Sequence, residues 1–309
     1  MTDSSASEFR APGRAFAPRL DCVGCMVRQA REALAQIQPP PEVAERALRR
    51  VLALLAEADW RQSPPALGQK LHRLIRETTG QRDPYSAIKR RLNRRAAEMR
   101  PRWSRRFQEA HPPWEAAVRL AIAGNLLDVG AKTQLREDAV ENAFAEALTA
   151  PLRGTEVSAL TRAVAAARSI LYLADNAGEI VFDRDLLALL PRDRCTLVVR
   201  GAPVLNDATR EDAEEAGLAG LCPIMDNGSD APGTLLEDCS PAFRERFAAA
   251  DLIIAKGQGN FESLTGTSRP IFFLLKVKCP LVAEALDCPV GSLVLRQENA
   301  ASAAPASAP

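Results

Sequence analysis

Histidine is nearly absent from this chain: 309 residues contain only His72 and His111. That excludes a histidine-rich zinc centre. A catalytic metal would have to be held mainly by oxygen, and oxygen ligands suit Mg²⁺ and Mn²⁺. No apolar run approaches the roughly 20 residues of a membrane-spanning helix. The opening residues MTDSSASEFR also lack the apolar core of a signal peptide. The expectation is a cytoplasmic protein with no membrane partner. Net charge is missing too: at +1, no global field draws the chain to nucleic acid or to an anionic surface. There is no internal repeat, no Walker A sequence and no GxGxxG. Seven cysteines, an odd number without a secretion signal, argue against a disulfide framework. What remains is an ordinary globular balance, 47% hydrophobic and 26% charged, long enough for one large domain or two modest ones.

Along the chain the texture changes once. Residues 1–18 are small, polar and proline-bearing, and residues 297–309 (QENAASAAPASAP) are low-complexity; both read as disordered. From 19 to 150 the apolar spacing is helical throughout, with helices expected near 21–37, 42–58, 65–79, 84–107, 113–124 and 135–147. After Pro151 and Gly154, strands and helices alternate. Strands are expected at 170–174, 196–200, 223–225, 252–255, 271–278 and 292–295, and helices at 156–167, 180–190, 208–216 and 241–249. Continuous apolar strands alternating with helices imply a largely parallel sheet covered on both faces. The fold class is α/β: an all-α region (19–150) packed on a three-layer α/β/α core (151–296).

Three strand ends carry polar side chains, and in open α/β sheets ligands collect at the carboxyl ends of strands. ILYLADNAGE ends on Asp175 and Asn176, LVVRGAPVLND on Asn206 and Asp207, and DLIIAKGQGNFE on Lys256, Gly257, Gly259 and Asn260. Carboxylate beside carboxamide, twice, offers hard oxygen ligands that can converge in one coordination sphere. Each Asp can instead be a helix N-cap. Gly257 and Gly259 let backbone approach a ligand closely, successive N–H groups can form an anion nest, and Lys256 supplies a point charge for phosphate. A plain turn is the competing reading of that loop.

In this order, DNAGE, PVLNDATREDA, DNGSDAPGT and DLIIAKGQGNFESL closely resemble the damage-control phosphatase family, long known as domain of unknown function 89. Upstream DPYSAIKRRLN and AGNLLDVG, CVGC near the start and FLLKVKCP at 273–280 resemble it as well, so that the likeness spans roughly 21–278. CVGC points to the prokaryotic branch. The resemblance implies a divalent-metal-dependent phosphatase acting on small phosphorylated metabolites, such as sugar phosphates or phosphopantetheine-like compounds. It implies that Asp175, Asn176 and Asp207 hold the metal (Mn²⁺, Mg²⁺, Co²⁺ or Ni²⁺), and that Lys256 contacts phosphate. It also places Asn125 and Asp128 near the same pocket, with Glu179 and Asn206 as neighbours. A metal-activated water is the expected nucleophile. Covalent attack by Asp175 stays open, although haloacid-dehalogenase-type phosphatases want a second Asp two residues on, where this chain has Ala177. A carboxyl methyltransferase, an activity also proposed for relatives, ranks lower because no glycine-rich loop follows the first core strand.

Two features stand outside this scheme. Cys22 and Cys25 have the spacing of half a zinc site, yet no second CxxC exists; structural thiols on the first helix are the simpler reading, with a redox pair or metal clip as alternatives. Eight arginines between Arg90 and Arg106 surround Trp103 and Phe107. A non-catalytic module for RNA or a phosphorylated ligand would rest on them, but neutral net charge favours a solvated helix face. Trp114 and Tyr85 read as helix-packing residues.

Overall fold

The computed structural model describes residues 16–127 and 137–299. Among the described residues six helices come first: α1 (Leu20–Ile37), α2 (Pro41–Ala56), α3 (Pro64–Thr79), α4 (Ser86–Ala110), α5 (Pro113–Ala123) and α6 (Glu137–Thr149). Proline opens α2, α3 and α5, where a missing N–H costs nothing and the fixed φ is already helical. Then follow β1 (Leu152–Gly154), α7 (Val157–Ala166), β2 (Ile170–Leu173), α8 (Glu179–Leu187), β3 (Cys195–Val199), α9 (Arg210–Glu215) and β4 (Ile224–Asp226). The chain closes with α10 (Pro241–Ala249), β5 (Leu252–Lys256), α11 (Gly257–Leu264), β6 (Ile271–Lys276), α12 (Pro280–Ala285) and β7 (Leu293–Glu298).

The seven strands form one sheet in the order β1-β7-β6-β5-β2-β3-β4. Every pairing is parallel except β6 with β7. From β2 the chain steps outward through β3 and β4, then returns to the other side of β2 to lay down β5 and β6. The reversal falls between β2 and β5, so the crevice at their carboxyl ends is the place where such sheets bind ligands. Alternation along the strands divides the core. Ile170, Tyr172, Leu197, Val199 and Ile254 face a large cluster shared with α1–α9. Leu171, Leu173, Val198, Ile253 and Ala255 face a smaller one built with α10–α12. The larger cluster runs without a break across the 150/151 boundary, from Met26 and Val51 to Leu274 and Leu295.

Three expectations are corrected. The KGQGN segment is not a loop: α11 starts at Gly257, immediately after β5. Two glycines in three residues lower the intrinsic helix propensity, and the packing of Phe261 and Leu264 into the smaller cluster overrides it. Strand β7 runs to Glu298, which pairs with Ile271, so order extends past residue 296. At the other end Phe16 is buried edge-on against Phe261, at 5.8 Å between ring centroids, inside the stretch read as disordered. The short β1 was also missed; three residues show no periodicity, and its partner β7 lies far along the chain.

Helix α11 carries a titratable group into this packing. Burial pushes the Glu262 carboxyl up to about 7, against a hydrogen bond donated by Gln258 (2.7 Å). A folded pKa above the unfolded value means that the folded state holds more protons between the two. The stability that protonated Glu262 contributes is therefore lost as pH rises from about 4.5 to about 7. Glu262→Gln keeps the side-chain shape and removes this loss. At pH 8 it is expected to be more stable than the parent by on the order of 2 kcal/mol, with equal stability near pH 4. Parallel urea melts check this, and an identical pH dependence in the two proteins would refute it.

Candidate active site

Backbone hydrogen bonds zip the ends of β2 and β3 together. The Ala174 N–H donates to Val198 O (2.9 Å), Ala208 to Asp175 O (2.7 Å) and Ala177 to Asn206 O (2.8 Å), and Asn176 forms an antiparallel bridge with Asp207. Asp175, Asn176, Asn206 and Asp207 are thereby brought into one place. Neither aspartate is a helix cap. Helix α8 begins after Gly178 with no side-chain cap, and α9 is capped by Thr209, which forms a capping box with Asp212.

The helical half braces the same turn. Asn93 of α4 accepts the Gly178 N–H at 2.7 Å. Gly178 has φ 78°, and a Cβ there would meet Leu92 at 3.0 Å, so the turn closes against α4 only because residue 178 is glycine. Gly124, at the end of α5, lies against α8 in the same way; a Cβ there would be 3.2 Å from Glu179 O and Phe182. The chain then delivers Asn125, whose amide donates to Asp175 Oδ2 (3.1 Å) and Glu179 Oε2 (2.5 Å). The Asn176 amide donates to the same two carboxylates, at 2.7 and 3.1 Å. Among the described residues its side-chain Oδ1 accepts no hydrogen bond, whereas its backbone carbonyl accepts the Ile180 N–H at 3.1 Å. Asp128 lies outside the described residues.

Charge at the site is crowded. Asp175, Asp207 and Glu179 are all buried. Burial, then Glu179 and Asp207, push the Asp175 carboxyl well above the usual range; Lys278 and Arg200 act in the opposite sense. Arg200, which the sequence reading did not single out, donates through Nε to Asp207 Oδ2 at 2.7 Å, and its Nη2 lies 3.8 Å from Asp175 Oδ1. Its only advance signal was its position, at the end of β3 and seven residues before Asp207. Lys278, an exposed residue just beyond β6, was quoted within FLLKVKCP but given no role.

The third strand end is corrected most. Lys256 is fully buried, and its three N–H groups go to Ala121 O (2.8 Å), Glu179 Oε1 (2.9 Å) and Asp183 Oδ1 (2.5 Å). An ammonium has three donors, so none remains for a phosphate. Burial works against its charge, but Asp183 and Glu179 outweigh burial and hold its pKa above the ordinary value. Gly257 serves a close approach, though to a side chain: at φ 78° a Cβ would lie 1.8 Å from Asp175 Oδ2. The Asp175 carboxylate therefore sits against the first residue of α11, where the helix dipole favours an anion. Gly259 makes room for Pro232 O, which a Cβ would meet at 2.3 Å. Asn260 is fully engaged: it donates to Ala174 O and Lys256 O and accepts from Thr234 and Arg200. Gly257→Ala is expected to cost on the order of 3 kcal/mol and to displace Asp175. An unchanged melting temperature would contradict this packing.

The side chains fit a hard divalent cation. Among the described residues no three His, Cys, Asp or Glu side chains are grouped to hold a metal, so the donor set depends on Asn176 beside two carboxylates. Among the described residues, four buried carboxylates (Asp175, Asp207, Glu179, Asp183) lie with two buried cations (Arg200, Lys256). Asn125 Oδ1 is a buried oxygen without a hydrogen-bond partner, while Asn206 Nδ2 and Arg200 Nη2 are buried donors without one; the oxygen suits a cation or a donor, and the two nitrogens call for an acceptor such as a phosphate oxygen.

The remaining sequence features lie apart from this set. All seven cysteines are free. Cys22 accepts the Arg19 N–H at 3.4 Å, and Cys279 accepts from Gln258 at 3.4 Å. In the arginine cluster, Arg100 pairs with Asp185 at 2.8 Å and Arg102 with Glu141. Trp103 and Phe107 are buried in the core, so they offer no open stacking platform.

Fold and site together define a doubly wound α/β protein with an acidic, amide-braced cluster of buried side chains at the carboxyl ends of its central strands. The chain belongs to the damage-control phosphatase ARMT1-like domain family, which matches residues 19–294. It is 34% identical over 282 residues to the damage-control phosphatase PH1575 of Pyrococcus horikoshii, covering 89% of this chain and 96% of the other. A damage-control phosphatase of Archaeoglobus fulgidus is 34% identical over 236 residues, covering 74% and 81%. An uncharacterized protein of Methanocaldococcus jannaschii is 33% identical over 287 residues, covering 89% and 93%. The crystal structure of the Pyrococcus protein superposes with a TM-score of 0.81 at 32% identity, over 91% of this chain and 99% of that one.

Proposed function

We propose that this protein is a divalent-cation-dependent phosphatase of small phosphorylated metabolites, with Asp175, Asn176 and Asp207 as the cation ligands. The observation that carries the reading is the zipped pair of strand ends, which sets two carboxylates and a carboxamide side by side at the switch point. A divalent ion held there would neutralise charge on a phosphoryl group and ease deprotonation of a nucleophilic water. The chain's own residues supply orientation. Asn125 and Asn176 fix Asp175 through Oδ2, which leaves Oδ1 outside those bonds, 3.8 Å from Arg200 Nη2. Glu179 accepts from both amides, and Lys256 holds Glu179 in turn. Lys278, which is exposed and whose charge acts on Asp175, is a candidate for the contact with substrate phosphate.

Substrate choice falls to the 226–234 loop. It is held on α3 by Asp230, which accepts from Arg73, Arg76 and Gln69, and its Thr234 touches Asn260 beside the site. Burial works to raise the Asp230 carboxyl, yet the hydrogen bonds from Arg73 and Gln69 prevail and hold it below its ordinary value. A wall anchored in this way suits a compact ligand such as a sugar phosphate or a phosphopantetheine-like compound. The test is release of inorganic phosphate from these compounds with Mn²⁺ present. Turnover of any of them supports the reading. Methyl transfer from labelled S-adenosylmethionine without phosphate release would replace it.

A further inference from the structure

Arg200 is a buried cation of the site with one terminal nitrogen unspent. Its side chain is 2% exposed. Nε makes one short bond to Asp207 (2.7 Å), and Nη1 makes two long contacts, to Thr234 Oγ1 (3.4 Å) and Asn260 Oδ1 (3.3 Å). Nη2 is buried without a hydrogen-bond partner, 3.8 Å from Asp175 Oδ1. A guanidinium used only as structural glue would be expected to satisfy its fork. This one lies between the two carboxylates instead, reaching both and fully bonding only Asp207.

We propose that Arg200 is the positioning residue of the cation site, an internal counter-ion that holds Asp175 and Asp207 apart and partly neutralised until a divalent ion takes over that charge. The inference rests on the cation site proposed above. Two like charges in a buried pocket repel strongly, because the local dielectric is far below that of water. Arg200 offsets this repulsion in the cation-free protein. The same positive charge opposes an incoming cation, so it weakens cation affinity while protecting the empty fold. Its contacts with Thr234 and Asn260 extend the effect to the 226–234 loop and α11. A change of charge at the carboxylates is thereby transmitted to the wall that meets substrate.

The test compares Arg200→Met and Arg200→Lys with the parent, by thermal melting in EDTA and in saturating Mn²⁺ and by calorimetric titration with Mn²⁺. The expected result is a marked fall in melting temperature in EDTA for Arg200→Met, largely recovered by Mn²⁺. The Mn²⁺ dissociation constant is expected to fall by about tenfold or more, with Arg200→Lys in between. An equal fall in melting temperature with and without Mn²⁺, at unchanged affinity, would mean a purely structural arginine and would overturn the proposal. If Arg200→Met folds in neither condition, Arg200→Lys decides by the same two readouts. If Mn²⁺ binds and the variants behave as expected but no substrate is turned over, the phosphatase reading fails and the role of Arg200 stands. If no divalent ion shifts the melting temperature of the parent, both fail.

Discussion

Asp175→Asn is expected to abolish phosphate release, by ~10³-fold or more in kcat/KM, in a protein that is no less stable than its parent when metal-free. The two halves of this result have one cause. Asp175 is buried beside Glu179 and Asp207, and its carboxyl is pushed well above the usual range. A folded pKa above the unfolded value means that the ionised group destabilises the fold at neutral pH, so its neutral isostere relieves that burden. Asn retains an oxygen to accept from Asn125 and Asn176 while the negative ligand is gone. Asp207→Ala is expected to lose activity to a similar degree but not to gain stability, because it leaves Arg200 without its one short bond. Turnover by Asp175→Asn at the parental rate would remove the strand-end pair from the chemistry.

Lys256→Met is expected to destabilise the protein by ~3–5 kcal/mol, whatever it does to catalysis. Its ammonium is the shared partner of Glu179 and Asp183, both buried, and it also bonds a carbonyl of α5. Removing it strands two carboxylates where water cannot reach them. The double variant Lys256→Met with Asp183→Asn is expected to regain part of the loss, since one stranded charge is then neutral. Urea unfolding midpoints at unchanged slope measure this. A variant of parental stability whose only defect is a raised KM for phosphate esters would restore Lys256 to the direct phosphate contact that the sequence suggested.

These two residues also show what a sequence can and cannot reveal. Asp175 and Asp207 were legible because strand ends are legible: apolar runs stop at a polar pair, and the sheet rule says where ligands gather. That the two pairs meet depends on β2 and β3 being neighbours, which consecutive strands usually are. Lys256 was misjudged because burial is not written into a dipeptide. KG after a strand looks like an exposed anion loop, and only the packing of Phe261 and Leu264 turns that segment into α11 and points the lysine inward. Arg200 was passed over because one arginine beside a glycine has no distinctive spacing, and its value arises from Asp207 folding back onto it. The helical half was readable as helices, while its service to the site was not. Asn93 reaching the Gly178 N–H joins residues 85 positions apart, and no local pattern encodes such a contact. Likewise β1 and the last residues of β7 depend on partners distant in the chain.

The most direct test of the central claim is an assay of metal-stripped protein for phosphate release from p-nitrophenyl phosphate and a panel of sugar phosphates. Mg²⁺, Mn²⁺, Co²⁺ and Ni²⁺ would be added back in turn, with Asp175→Asn alongside. A strand-end cation site predicts no release from stripped protein, saturable recovery with at least one of the ions, and none in the variant. Equal release in EDTA and in the variant would contradict it.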